Sequence, residues 1–281
     1  MSDLHAINEA INKRAGRRLF SSILIAVLLL AIIFTTLAFA PFLFAIVVIL
    51  AFAIATHELV AAYLKSGEGL ISWAIIAANI AIMLTAWFSG VNGIVIAGAI
   101  AIIVNLVLVL RNGPEGFVKR SAETAFTIVY LGVLPSFIIL LAADSDGFAL
   151  VSMLVIVVAF NDTFAYLTGV LIGKHRMAPK LSPKKSWEGF AGGLIATTAV
   201  SAYAFEALLE KPWWLGLLAG FVGVIAATSG DLIESGLKRD FGIKDMSSFL
   251  PGHGGMFDRI DSATVTGPAL WIFLELTKAI S

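Results

Sequence analysis

The chain has 281 residues, 59% hydrophobic and 14% charged, with a net charge of zero and no cysteine. A mean hydropathy of +0.96 excludes an ordinary soluble domain and describes a polytopic membrane protein. The missing cysteines exclude disulfides, thiolate metal sites and cysteine nucleophiles.

Residues 1–18 form a basic segment, with Lys13, Arg14, Arg17 and Arg18 ahead of an apolar run. With His5 they suit an amphipathic surface segment attracted to anionic lipid. The apolar run has no small-residue cleavage site leading into soluble sequence and reads as a retained first span. Nine apolar segments suit about 30 Å of hydrocarbon, at roughly 19–39, 42–64, 70–89, 91–110, 124–142, 148–172, 189–209, 213–230 and 262–280. Only Ala40-Pro41 separates the first two and only Gly90 the third and fourth, which leaves re-entrant or broken helices open there.

An odd count places the termini on opposite sides. All of the 19 Lys and Arg residues except Lys211 and Lys278 then share the side of the N-terminus. The positive-inside rule puts that side in the cytoplasm. The expected fold is an all-α polytopic membrane protein with about nine transmembrane helices and cytoplasmic active-site loops. A transmembrane bundle of about four helices at 19–110 precedes a catalytic region at 111–281, with no repeat or separate soluble domain. His57 and Glu58, inside the second span, read as packing or lipid-headgroup contacts, and Asp144 and Asp146 as a solvated turn. The Phe and Trp residues read as lipid contact, core and interfacial belt rather than a base-stacking platform.

Two polar blocks interrupt this apolar pattern. In the first, Asn161-Asp162-Thr163 lies inside an apolar segment, followed by Gly173-Lys174-His175-Arg176 and then Ser182-Pro183-Lys184-Lys185-Ser186-Trp187-Glu188-Gly189. An intramembrane Asp is a functional candidate, although a helix-helix hydrogen bond also explains Asp162. The Lys-rich loop is either a substrate contact or a topology determinant. The second block, Asp231 to Asp261, holds ten charged residues; at the centre of a lipid-facing segment they would cost roughly 25–35 kcal/mol. It therefore belongs in water or in a polar cavity. If Asp231–Arg239 is helical, Asp231, Glu234 and Lys238 share one face. Pro251-Gly252-His253-Gly254-Gly255 cannot be regular helix, and its glycines let backbone N–H groups approach a phosphate. Asp258 and Asp261, three apart, point to one side, where a hard divalent cation finds oxygen ligands.

The order Ser235, Leu237, Lys238, Arg239, Lys244, Asp245, Ser247, Leu250, Pro251, His253, Gly254, Gly255, Met256, Asp258, Arg259, Asp261 looks like the full signature of the CDP-diacylglycerol synthases, or phosphatidate cytidylyltransferases. The Ser182–Gly189 run resembles a further motif of that family. Val170 departs from it where relatives often carry a polar or basic residue, and Ser186 where Thr is commoner. The resemblance implies an integral enzyme of a bacterial cytoplasmic membrane that joins CTP and phosphatidate into CDP-diacylglycerol and pyrophosphate. It also implies a divalent metal and a homodimer. The metal is Mg²⁺, with Mn²⁺ as the alternative and a second, monovalent cation left open. Membrane lipids are the expected surroundings, and no nucleic acid is expected as a partner.

Two polyanionic substrates repel one another unless cations intervene. Asp231, Asp245, Asp258 and Asp261 form the pool of expected metal ligands, with Asp162 as a further candidate. Lys238, Arg239, Lys244 and Arg259 are expected to neutralise phosphate, and His253 to contact a phosphate or a metal-bound water. Ser182, Lys184, Lys185, Trp187, Glu188, Ser235, Gly254 and Gly255 complete the expected substrate contacts. Two rivals stand beside this reading. A CTP-dependent polyprenol or dolichol kinase would move the γ-phosphoryl group, but the complete signature argues against it. An ion or anion transporter would use Asp162 and Glu58 on a pathway, but the charges gather in two loops on one side rather than in paired interrupted helices.

Overall fold

The structure is a computed structural model that describes residues 19–67, 69–249 and 254–278. The basic segment 1–18 and His253 lie outside the described residues. Helices dominate, as they must where no water is present to satisfy backbone groups. They are α1 (Leu19–Phe39), α2 (Pro41–Lys65), α3 (Ser72–Val109), α4 (Phe117–Ala143), α5 (Gly147–Ile172), α6 (Trp187–Leu209), α7 (Trp213–Asp240) and α8 (Phe257–Thr277). The all-α expectation needs one addition. Between α5 and α6 the chain forms an antiparallel hairpin, β1 (Arg176–Ala178) and β2 (Ser182–Ser186).

Among the described residues, α2 to α7, with α3 extended to Asn112, are the six helices long and apolar enough to cross a membrane, beside the shorter apolar helix Val27–Phe39. The expected count of nine is not reached by that measure: besides the first span, which counts only as that shorter helix, two further reasons are visible. Two expected spans lie within α3, and α8 opens on Asp258, Arg259 and Asp261 and holds Pro268, which lower its apolar character. Within α3, Gly90 adopts φ 60° and ψ −145°, a combination open essentially to glycine alone. The chain folds sharply there: the Thr85 hydroxyl donates to the Gly93 carbonyl at 3.1 Å, whereas eight residues of straight helix span about 12 Å. Gly90 thus breaks the run where the sequence places a boundary.

Helices α5, α6, α7 and α8 pack in succession, and α8 returns onto α4 and α2. Close approach of α6 and α7 depends on absent side chains, as at small-residue interfaces in membranes. A Cβ on Gly216 would meet the Ser201 carbonyl at 2.3 Å, and one on Gly220 the Thr198 Cα at 2.8 Å. Helix α7 continues ten residues past its expected end at 230. The Asp231–Arg239 run is therefore helical, and its polar stripe continues α7 beyond the apolar run.

Candidate active site

The polar stripe of α7 meets the first turns of α8. Asp231, Glu234 and Asp261 each offer a carboxylate oxygen, all within 4.8 Å of one another. The α7 and α8 backbones nearly touch here, because a Cβ on Gly230 would meet the Asp261 carbonyl at 2.5 Å. Glu234 is buried, and among the described residues its Oε1 has no hydrogen-bond partner. Burying such a group without a partner is costly. Oxygens that share one divalent cation lie up to about 4–5 Å apart, so three carboxylates with an orphaned buried oxygen fit such an ion.

Lys238, one turn further along, pairs with Glu234 and with Asp258 Oδ1, the latter at 2.8 Å. The other Asp258 oxygen accepts the Met246 N–H at 3.0 Å and the Gly255 N–H at 2.7 Å. Asp258 thereby fastens both ends of the α7–α8 loop as well as Lys238. A second carboxylate does the same from outside. Glu58, buried in α2, accepts the Ser247 hydroxyl at 2.5 Å and the Met256 N–H at 2.9 Å on Oε1, and the Phe257 N–H at 2.8 Å on Oε2.

The first polar block closes over this group. Ser186 ends β2 and caps α6, its Oγ accepting the Gly189 N–H at 3.1 Å. Glu188, in the first turn of α6, accepts the Lys174 N–H at 3.1 Å and the His175 ring nitrogen at 2.6 Å, so it anchors the loop after α5. The hairpin is tied to α7 by Arg239, whose Nε donates to the Leu181 carbonyl at 3.1 Å. A second tie is Lys185, whose Nζ lies 2.6 Å from Asp231 Oδ2. Between α5, the hairpin and α7 opens a cavity of about 620 Å³, within the range of small-molecule sites. Asp162, Asp231, Arg176, Lys184 and Lys185 line its polar part, and Tyr166, Val170 and Phe190 its apolar part.

The structure therefore joins the two blocks that the sequence singled out, but distributes their residues unevenly. Asp231 and Asp261 come together with Glu234; Asp162 faces the cavity and accepts from the Asn161 amide at 3.3 Å. Asp258 adjoins Glu234 rather than joining the three, engaged by Lys238 and the loop, and Asp245 is exposed beside Gly254. Lys238 points into carboxylates rather than into the cavity. Lys244 and Arg259 are exposed, as is Trp187, which makes an edge contact with Phe190. Ser182 pairs with Ala178 in the hairpin, and Ser235 donates to Asp231 Oδ1 at 3.3 Å. Gly254 has φ +79°, and Gly255 leaves the space that the Glu58 carboxylate occupies. Sequence reading left Glu234 out of the carboxylate group, although its offset of three from Asp231 was the available signal. It also missed the Arg176 contribution to the cavity and the reach of Glu58.

The model of a family described as "Cytidylyltransferase family" matches residues 20–277. The phosphatidate cytidylyltransferase of Mycobacterium leprae is 34% identical over 279 residues, covering 94% of this chain and 89% of the relative. That of Mycobacterium bovis is 33% identical over 276 residues, covering 94% and 90%. That of Staphylococcus haemolyticus is 41% identical over 155 residues, covering 55% and 59%.

Proposed function

The chain belongs to the cytidylyltransferase family, and from that premise we propose that it transfers the cytidylyl group of CTP to phosphatidate, releasing pyrophosphate and forming CDP-diacylglycerol. The single observation that carries this reading is the 2.6 Å contact of Lys185 with Asp231. It sets a cationic hairpin and a carboxylate group against one another at one cavity, as charge compensation of a metal-bound polyphosphate demands.

A phosphate monoester with a second pKa of roughly 6 is already ionised at neutral pH, so no strong base is needed. An oxygen of the phosphatidate phosphate attacks the α-phosphorus of CTP and forms the new P–O bond. The bond from that phosphorus to the bridging oxygen breaks, and pyrophosphate leaves with the electron pair. Catalysis then consists of orientation and charge stabilisation. Asp231, Glu234 and Asp261 would hold the divalent cation, Mg²⁺ or Mn²⁺, which supplies charge neutralisation on the phosphates. Lys184, Lys185 and Arg176 supply fixed positive charge along the cavity wall. Lys238 balances Glu234 and Asp258 and so keeps the carboxylate group assembled. Asp162 closes the cavity on the α5 side.

The acyl chains of phosphatidate stay in the bilayer. That suits a cavity wall containing Val170, which is 66% exposed, with exposed Leu171 and Ile172 after it. The distribution of basic residues supports a cytoplasmic site in a bacterial inner membrane. The family resemblance supports a homodimer, which a mass measurement in detergent tests. The reaction itself is tested by incubating purified protein with phosphatidate, Mg²⁺ and CTP labelled at either the α- or the γ-phosphorus. Label from the α-position should enter lipid, and label from the γ-position should leave as pyrophosphate. Lipid labelled from the γ-position would identify a kinase, and no labelled lipid from either would revive the transporter.

A further inference from the structure

Glu58 is 5% exposed and belongs to a helix of the N-terminal bundle, far in sequence from both polar blocks. A carboxylate buried among apolar residues is retained at a cost unless donors surround it. Among the described residues, the three donors to Glu58 all come from the signature stretch: the Ser247 hydroxyl and the Met256 and Phe257 N–H groups. Two of these are orphan donors at the start of α8, where Met256 offers no side-chain cap. An anion at this end of the helix satisfies them and complements the helix dipole. Gly255 has no side chain because a Cβ there would sit 2.6 Å from Glu58 Oε2.

Glu58 thus grips Ser247 and Met256 with one oxygen and the first residue of α8 with the other. One turn later α8 carries Asp261 into the carboxylate group formed with Asp231 and Glu234. We propose that Glu58 is a positioning residue of the active site: it caps α8 from the N-terminal bundle and so fixes where Asp261 stands against α7. The inference rests on the cytidylyl-transfer reading for its effect on the reaction, but its effect on the backbone does not.

The test uses the full chain in detergent micelles. Glu58→Gln keeps the shape but turns an amide NH₂ toward at least one N–H donor, which then loses its acceptor. Hydrogen exchange of the Gly255–Phe257 amides should rise about tenfold, with the α3 amides unchanged. In the labelled-CTP assay, KM for CTP should rise about tenfold while KM for phosphatidate stays at the wild-type value. Ser247→Ala should give a weaker form of both changes, and the double variant less than their sum. If Glu58→Gln fails to insert, Ser247→Ala alone carries the same two readouts. Unchanged exchange at Gly255–Phe257 overturns the proposal, and so does faster exchange with an unchanged KM for CTP, since Glu58 would then only brace the fold. A wild-type protein that makes no labelled lipid sinks the cytidylyl-transfer reading instead, while the exchange measurement still judges the cap.

Discussion

Lys238 Nζ donates to Asp258 Oδ1 at 2.8 Å, joining the last turn of α7 to the first turn of α8 across the loop between them. Glu234 completes the group from the same side of α7. Removing the cation leaves two largely buried carboxylates facing each other. Truncating one member of such a pair costs about 3–5 kcal/mol, and solvent reaching Lys238 should hold the loss near the lower figure. Lys238→Ala should therefore lower the thermal midpoint in detergent and abolish turnover, with no rescue by excess Mg²⁺. Adding Asp258→Asn should recover part of the stability. A variant with wild-type stability would remove Lys238 from its assigned place as a charge balance.

That pairing also marks the limit of what was legible in the sequence. The offsets of Asp231, Glu234 and Lys238 correctly predicted one helical face, because periodicity reports which residues share a side of a helix. It does not report what packs opposite. Lys238 was therefore matched to phosphate and Asp258 to metal, although the two face each other. Glu58 was hidden for the same reason: a single carboxylate in an apolar run gives no sign of a partner 199 residues away. The fold at Gly90 was legible because one residue type alone tolerates that backbone. The β1–β2 hairpin was not, since Arg176–Ser186 shows no apolar alternation and is held by hydrogen bonds and by Arg239 and Lys185.

The carboxylates should separate into two classes when Mg²⁺ is titrated against turnover. Asp231→Asn, Glu234→Gln and Asp261→Asn remove oxygens from the group that fits the cation. Each should raise the Mg²⁺ concentration for half-maximal rate by roughly ten- to hundredfold. Asp245→Asn, exposed beside Gly254, should leave that concentration unchanged. If all four variants titrate alike, the cation is held elsewhere.

Lys185 and Asp162 should matter for rate rather than for folding, because both line the cavity and neither lies in the apolar core. Lys185→Met removes a preorganised charge from beside the reacting phosphates and should lower kcat by about a hundredfold or more. Asp162→Asn should abolish turnover while the protein inserts and extracts normally. Near-normal turnover of Asp162→Asn would reduce that residue to the hydrogen bond it accepts from Asn161.

The loop after α3 and the loop between α6 and α7 should lie on opposite sides of the membrane. Arg111, Lys119 and Arg120 flank the first, whereas Lys211 is the sole basic residue in the second. A reporter inserted at Gly113 should read cytoplasmic and one at Lys211 external. Two reporters on the same side would show that one crossing between them has been miscounted.

Two glycines of α7 should respond in opposite directions to the same substitution. Gly230 stands where α7 crosses α8, and a Cβ there would meet the Asp261 carbonyl at 2.5 Å and the Ser262 Cα at 3.0 Å. Both contacts are backbone and cannot swing away. Gly230→Ala should force the helices apart, lowering stability by about 1–3 kcal/mol and displacing Asp261 from Asp231. Gly236, less than two turns further along, has nothing among the described residues within 4 Å of its Cβ position. Gly236→Ala therefore meets no obstacle and removes a flexible residue from a helix interior, which should raise stability by about 0.5–1 kcal/mol. Thermal unfolding of the two variants in one detergent compares them directly. If both are destabilised alike, the damage comes from a general intolerance of α7 to substitution, and the close crossing at Gly230 is not what holds the carboxylate group together.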